Sequence, residues 1–235
     1  MTDVGFLHAA SIEVLGLLPY ASNYTFLARL GDEEAKELVI YKPTRGERPL
    51  WDFPHGTLAA REAAAYLVSE AAGWGIVPPT VLRTEGPLGG GSLQSFIEHD
   101  PDLHYFILRE TRLDDFEAFA AFDVVTNNAD RKAGHVLQDA DGRLWAVDHG
   151  LTFNVEDKLR TVIWEFADQP IGEEARSKLE RLAASLDDPK GVRAELAGLL
   201  TDEELAALSA RTALLLRVGT YPKPGGLRPY PWPLV

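Results

Sequence analysis

Residues 41–70, YKPTRGERPLWDFPHGTLAAREAAAYLVSE, decide the fold of this 235-residue chain. The residues before Lys42 are rich in apolar and β-branched side chains, so they predict a strand that ends at the lysine. Thr57 is a good N-cap for the alanine-rich run that follows it, and Gly73 favours the end of a helix. The stretch therefore predicts a strand, a proline- and arginine-rich loop, and a helix that carries Glu62.

The first hundred residues predict a small antiparallel sheet around this stretch. Residues 12–18 and 24–30 are short β-rich runs joined by a turn-like segment. Together with the run that ends at Lys42, they predict a three-stranded meander. Two further strands are predicted around 80–84 and 93–98, linked by a glycine-rich turn.

From residue 113 onwards the pattern is mainly helical. Apolar side chains at helical spacing predict a helix over 113–126. Two short strands are predicted at 135–138 and 144–148, joined by an Asp-Gly turn. The proline-rich tail is expected to be extended. Further amphipathic helices are predicted over 172–186, 190–199 and 201–217.

Composition narrows the choice of partners. The chain has 23 Lys and Arg against 36 Asp and Glu, a net charge of −13. Nucleic-acid phosphate and anionic membranes repel such a protein, so we expect neither nucleic acid nor a stable membrane association. The absence of cysteine excludes disulfides, zinc–thiolate sites and thiol nucleophiles, and it fits a reducing cytoplasm. We expect no signal peptide, and no apolar stretch approaches the roughly 20 residues that cross a bilayer.

Five acidic or basic residues occur in an order that suits phosphoryl transfer from ATP. This chemistry needs a cation on the α- and β-phosphates, a carboxylate that holds the cation, a metal-binding acid, and a carboxylate near the acceptor hydroxyl. Lys42 at a strand end and Glu62 on a helix supply the first two. Asp148, at the end of the predicted hairpin, offers the oxygen ligands that Mg²⁺ prefers. Asp130, in a polar loop, supplies the acceptor-side carboxylate, and Lys132 can neutralise the moving phosphoryl group.

These motifs resemble the protein-kinase-like superfamily, and within it a small, largely actinobacterial family related to phosphatidylinositol 3-/4-kinases. The resemblance covers about residues 10–170. Besides the stretch quoted above, NNADRKAGHV is similar to the Asp-Arg-x-x-x-Asn catalytic loop, and AVDHGLTF looks like the metal-binding Asp-x-Gly loop. The resemblance implies an α+β, two-lobed kinase-like fold. Residues 1–100 would be a nucleotide-covering N-lobe with an antiparallel sheet and one helix, and residues 101–235 a mainly helical C-lobe.

The resemblance also implies roles for individual residues. It assigns Lys42 to the nucleotide phosphates, Glu62 to that lysine, Asp130 to catalysis and Asp148 to the metal, and it implies ATP with Mg²⁺ or Mn²⁺ as cofactors. His135 stands where the family has a metal-binding asparagine. A neutral imidazole favours softer ions such as Mn²⁺ over Mg²⁺. Either His135 is a metal ligand, or the second metal site is weakened.

Five more residues are candidates for nucleotide binding by position. The chain lacks the glycine-rich loop that covers the phosphates in many kinases. Ser22 and Asn23 are the candidate donors there, although both residue types also favour plain turns. Phe96, Ile97 and Glu98 fall where the backbone between the lobes meets adenine.

We therefore expect an ATP-dependent phosphotransferase that acts on a hydroxyl of a soluble small molecule or a protein. The acidic composition disfavours the lipid acceptor that the family name suggests. Three alternatives stay open: a pseudokinase that binds nucleotide with little turnover, an enzyme that transfers AMP, and a phosphoinositide kinase.

Overall fold

The computed structural model describes residues 2–19, 23–32, 36–226 and 228–235. The helices are α1 (Val4–Ala9), α2 (Leu58–Ala72), α3 (Tyr105–Arg112), α4 (Glu117–Thr126), α5 (Glu173–Asp187), α6 (Val192–Leu196) and α7 (Asp202–Val218). The strands are β1 (Ile12–Leu17), β2 (Phe26–Gly31), β3 (Lys36–Pro43), β4 (Thr80–Arg83), β5 (Gly91–Ser95), β6 (Val136–Gln138) and β7 (Leu144–Ala146).

The first five strands form one antiparallel sheet in the order β1-β2-β3-β5-β4, which confirms the predicted meander. One face of the sheet packs against α1 through a core that includes Leu7, Val39 and Tyr41. Because side chains alternate along a strand, Lys42 is directed to the opposite face of β3. The sheet thus separates a structural core on one side from the lysine on the other.

Helix α2 begins and ends as predicted. Gly73 adopts a left-handed conformation (φ 76°) that closes the helix, and its N–H donates to Glu70 and Ser69 carbonyls. Thr57 occupies the N-cap position, but its side chain makes no capping hydrogen bond. Its hydroxyl donates to the carbonyl of Pro54 instead. The alanine-rich face of α2 packs with the helices of the second half, so α2 belongs to the larger core.

The second half differs from the predictions in detail. Helix α3 was not predicted, and neither was the six-residue α1, because both are too short for a clear helical period. The helix predicted over 113–126 begins as a 3-10 turn, and α4 proper starts at Glu117. Strand β5 ends at Ser95 rather than 98. The long helices α5 and α7 lie within a residue or two of their predicted ranges.

The tail after α7 lies along the second half of the chain and reaches the segment around Ala133. The carbonyl of Pro229 accepts hydrogen bonds from the N–H of Thr161 and from Nε1 of Trp164. The carbonyl of Leu234 accepts a hydrogen bond from the N–H of Ala133. The described part of the tail after Tyr221 contains no helix or strand, as the sequence predicts.

The α+β class is thus confirmed. The proposed division at residue 100 falls between β5 and α3, and it stays a prediction. No helix in the described ranges has both the length and the apolar character to cross a bilayer.

Candidate active site

The end of β3, the second turn of α2 and the residues after β7 meet at one point. Lys42 Nζ hydrogen-bonds Glu62 Oε1 and lies 2.8 Å from Asp148 Oδ1. The main-chain N–H of His149 donates to the other Glu62 oxygen at 2.9 Å. Glu62 therefore fixes both the lysine and the segment that carries Asp148.

Asp148 has an unusual backbone conformation, with φ at 61°. This left-handed region is unfavourable for a residue with a side chain, so neighbouring contacts must hold it. They do so on both sides: the N–H of Val147 donates to the carbonyl of His135, and the N–H of His149 donates to Glu62. The turn leaves half of the Asp148 side chain exposed (51%) beside Lys42.

Opposite charges set the ionisation of this cluster. Burial alone would lower the pKa of Lys42, but the carboxylates of Asp148 and Glu62 outweigh burial and raise it. Desolvation opposes ionisation of Asp148, yet Lys42 and then His135 hold the pKa of Asp148 far below its usual range. Burial raises the pKa of Glu62 in spite of Lys42. The lysine is charged and Asp148 is an anion, as a phosphate and metal site requires.

Asp130 and Lys132 form a second charged pair in the loop after α4. Lys132 Nζ lies 3.0 Å from Asp130 Oδ2, and both side chains are largely shielded from solvent. The side chain of Asn128 accepts a hydrogen bond from the Asp130 N–H, which fixes the loop. Burial raises the pKa of Asp130, Lys132 lowers it, and the charge of Asp148 raises it. A carboxylate with a raised pKa can accept a proton at a pH closer to neutral.

Arg131, between these two residues, is directed into the protein. Its guanidinium donates to the Val147 carbonyl at 3.0 Å and lies 2.8 Å from His149 Nε2. Both Arg131 and His149 are fully buried. The arginine therefore connects the loop that carries Asp130 to the segment that carries Asp148.

His135 is adjacent to Asp148. Its Nε2 lies 3.3 Å from Asp148 Oδ2, and burial lowers the pKa of His135 to about 4 although Asp148 opposes this. The imidazole is therefore neutral near pH 7 and has a nitrogen lone pair. Its Nδ1 lies 3.5 Å from the main-chain nitrogen of Lys132, which is long for a hydrogen bond.

The remaining predicted residues are less closely tied to this cluster. Ser22 lies outside the described residues. Asn23 accepts a hydrogen bond from the N–H of Arg48 through its side-chain oxygen, so it also anchors the loop after β3.

Phe96, Ile97 and Glu98 follow β5. The N–H of Phe96 donates to the carbonyl of Leu38, and the carbonyl of Ile97 lies 2.8 Å from the His99 ring nitrogen. Leu38 and Lys42 are four residues apart on β3, or about 13 Å along a strand. This segment and the lysine thus lie toward opposite ends of the same strand.

Two sets of residues near the site were missed by the sequence reasoning. Ile40 lies on the same face of β3 as Lys42, and Leu27 is its partner on β2. Strand alternation from Lys42 was a usable signal for them. The second set is the buried pair of Arg61 and Glu204, which are 143 residues apart. No local pattern connects positions so far apart.

A divalent ion and a nucleotide each require particular donor groups at a site. Within the described residues no three His, Asp or Glu side chains cluster as a closed metal cage. Mg²⁺ in phosphoryl-transfer sites takes only one or two protein ligands, and phosphate oxygens and water complete its shell. The exposed carboxylate of Asp148 beside the neutral imidazole of His135 fits this need, and the charged side chain of Lys42 fits a phosphate group.

Two curated relatives match the sequence, whereas no family model does. Protein Rv2133c of Mycobacterium tuberculosis is 40% identical, and the match covers 94% of this chain and 91% of that protein. Phosphatidylinositol 4-kinase gamma 4 of Oryza sativa subsp. japonica is 30% identical over 70% of this chain. That match spans only 31% of the rice protein.

Three solved structures with a similar fold each cover more than nine-tenths of this chain. Hydra Fam20, solved with a sugar, has a TM-score of 0.61 at 14% identity, covering 91% of this chain and 86% of that chain. A Golgi casein kinase with Mn/ADP bound has a TM-score of 0.61 at 13% identity, covering 91% and 74%. The Helicobacter pylori proinflammatory kinase CtkA has a TM-score of 0.53 at 11% identity, covering 92% and 94%. These matches confirm the protein-kinase-like fold, and the chain belongs to the family of Protein Rv2133c of M. tuberculosis.

Proposed function

We propose that this protein is an ATP-dependent phosphotransferase that acts on a hydroxyl of a soluble small molecule or a protein. The observation that carries the proposal is the contact of Lys42 with both Glu62 and Asp148, next to the Asp130–Lys132 pair. Phosphoryl transfer is catalysed mainly by positioning and by charge stabilisation, and this set supplies both. The kinase-like fold and the sequence similarity to the rice 4-kinase support it.

The proposed division of labour follows the two halves of the chain. Residues 1–100 would cover the nucleotide, with Lys42 on its phosphates and adenine near Phe96, Ile97 and Glu98. Residues 101–235 would carry the acceptor side. Ile40 would add an apolar contact beneath the base, since it shares the face of β3 with Lys42.

Asp148 and His135 would hold the divalent ion. An ion held there would neutralise negative charge on the phosphates. Manganese suits a nitrogen ligand better than magnesium does. The Golgi casein kinase, solved with Mn/ADP, shares the fold. We therefore propose Mn²⁺ or Mg²⁺, with manganese preferred.

Asp130 would orient the acceptor hydroxyl and accept its proton as the oxygen attacks the terminal phosphate. Its raised pKa suits that task near neutral pH. Lys132, whose Nζ lies 3.0 Å from Asp130 Oδ2, would stabilise the negative charge of the phosphoryl group during its transfer. Lys42 would stabilise the negative charge that remains on the nucleoside diphosphate.

The acceptor can be narrowed by charge. A net charge of −13 disfavours approach to an anionic bilayer, so we propose a soluble acceptor and a cytoplasmic location. The sequence similarity to the rice 4-kinase favours a phosphoinositide as the alternative. The sugar in hydra Fam20 is consistent with a soluble polyol acceptor.

The test is transfer of label from γ-labelled ATP with Mn²⁺ or Mg²⁺ to a panel of soluble polyols, proteins and phosphoinositide vesicles. We expect label in a soluble acceptor and none with Asp130→Asn. Label only in vesicles would overturn the soluble acceptor. ATP binding without any turnover would favour the pseudokinase alternative. Transfer of label from α-labelled ATP, with the mass of an adenylyl group on the product, would favour AMP transfer.

A further inference from the structure

Arg61 ties α2 to two separate parts of the second half of the chain. Its side chain is 2% exposed and forms an ion pair with Glu204, near the start of α7. Another guanidinium nitrogen donates to the carbonyl of Thr152 at 2.5 Å. The guanidinium also lies over the Phe53 ring, 5.1 Å from its centre. One side chain on α2 thus holds the helix, the loop before it and two later segments together.

Glu204 is itself held in place. One carboxylate oxygen accepts from Arg61, and the other accepts from the N–H of Thr201 at 2.9 Å as part of a capping box. Glu204 therefore caps the start of α7 and also binds α2 through Arg61. Since the capping box fixes the carboxylate, the arginine is bound at a defined position rather than to a mobile side chain.

The position of Arg61 next to Glu62 gives this anchor a consequence for the site. Glu62 bonds Lys42 and the N–H of His149, while Arg61 bonds the carbonyl of Thr152 three residues later. Arg61 and Glu62, which are adjacent on α2, thus bind the two ends of the segment that follows Asp148. A shift of α2 would therefore break the hydrogen bond between Lys42 and Glu62.

We propose that Arg61 and Glu204 are positioning residues that hold α2 in place, so that Lys42, Glu62 and Asp148 are assembled before nucleotide binds. The consequence for turnover rests on the function proposed above. A buried ion pair is weak evidence for stability, because desolvating two charges offsets much of their attraction. The role proposed for this pair is therefore to select one arrangement over others, and that arrangement is the one with the Lys42–Glu62 contact.

The test measures how fast the backbone amides of α2 exchange with deuterium in the absence of nucleotide, in peptides that cover residues 58–72. The variants are Arg61→Met, Glu204→Gln and their double variant, because Gln keeps an acceptor for the capping box while removing the charge. We expect each single variant to speed exchange in α2 about tenfold relative to the rest of the chain. The double variant should be no faster than the faster single variant, since both changes remove one contact.

The exposed pair Glu174–Lys178 on α5 offers a matched control. Glu174→Gln with Lys178→Met should leave α2 exchange unchanged, although α5 packs against α2. If Arg61→Met is too unstable to purify, Arg61→Lys keeps the charge but loses the planar fork that reaches two acceptors, and it should show the same local effect. Exchange that is unchanged in α2, or raised equally throughout the chain, would overturn the proposal.

Turnover gives a second readout. In variants with faster α2 exchange, kcat/KM for ATP should fall in proportion to the fraction of molecules in which α2 remains assembled, because only that fraction binds productively. A kcat/KM for ATP equal to that of the wild type, in a variant whose α2 is substantially opened, would overturn the link between the ion pair and the candidate active site. If the wild type shows no turnover at all, the proposed function fails while the exchange data still decide whether the pair holds α2.

Discussion

Asp123 and Arg131 are joined by side-chain hydrogen bonds of 2.9–3.1 Å, and neither side chain has any solvent exposure. Asp123 also accepts from the side chains of Asn128 and Thr161. The loop that carries Asp130 is therefore built on one buried carboxylate at the end of α4. Both the stability of the fold and the geometry of the candidate base depend on this pair.

Replacing Arg131 should destabilise the protein strongly. Arg131→Met leaves the Asp123 charge buried without its partner, a change that costs about 3–5 kcal/mol. Urea unfolding followed by circular dichroism measures the loss. Arg29→Met, which breaks the exposed pair with Glu13, is the control and should cost less than about 1 kcal/mol. A loss for Arg131→Met as small as that control would show that the pair does not hold the loop.

Asp130→Asn should lower kcat by about 10²–10⁴-fold, the usual contribution of a general base. ATP affinity, measured by calorimetry, should change little, because Lys42 and Asp148 are untouched. A loss of affinity as large as the loss of kcat would instead place Asp130 in nucleotide binding.

The pH profile checks the same role. A base works only when ionised, and the pKa of Asp130 is raised. The rate of the wild type should therefore fall on the acid side at a higher pH than an exposed aspartate would give. An acid limb at or below the ordinary aspartate range would contradict Asp130 as the base.

His135→Asn should change the metal preference. An amide oxygen replaces an imidazole nitrogen, so the ratio of Mn²⁺- to Mg²⁺-supported turnover should fall several-fold. Initial rates measured over a range of concentrations of each ion give this ratio. His8→Asn, at an exposed position on α1, serves as the control. An unchanged ratio would mean that the imidazole does not reach the ion.

Lys42→Met should make stability depend on pH in a defined direction. Without the lysine, Glu62 and Asp148 are like charges in contact range, so the pKa of Glu62, already raised, rises further. The folded state then binds a proton more readily than the unfolded state, and stability increases as pH falls toward the unfolded pKa of glutamate. Unfolding in urea at pH 8 and pH 5.5 measures this. A variant that loses stability toward pH 5.5 more than the wild type would contradict the contact.

The sequence predicted those parts of the molecule that depend on local pattern. Strand alternation and the alanine-rich run identified β3 and α2, so Lys42 and Glu62 could be placed on adjacent elements. The fold class was implied by the resemblance to the protein-kinase-like superfamily, which this stretch carries in part, and it is confirmed. The roles assigned to Asp130, Asp148 and His135 stay predictions, although the structure brings the last two into contact.

Other features depend on contacts between distant residues, which no local period reveals. In the sequence Glu204 resembles an ordinary capping residue, and only the folded structure shows that its carboxylate also binds Arg61. Asn23 stays a predicted phosphate-loop donor, and only the folded structure shows that its side-chain oxygen accepts a hydrogen bond from the N–H of Arg48. The short α1 is specified by packing on the sheet rather than by its own propensity.

The course of the tail has a practical consequence for the assays above. Leu234 bonds the N–H of Ala133, and a side chain at Gly134 would lie 3.9–4.0 Å from atoms of Val235. Residues fused after Val235 would therefore start against the loop between Lys132 and His135. An affinity tag there would perturb the measured rates, whereas a tag before α1 starts on the face of the sheet remote from Lys42.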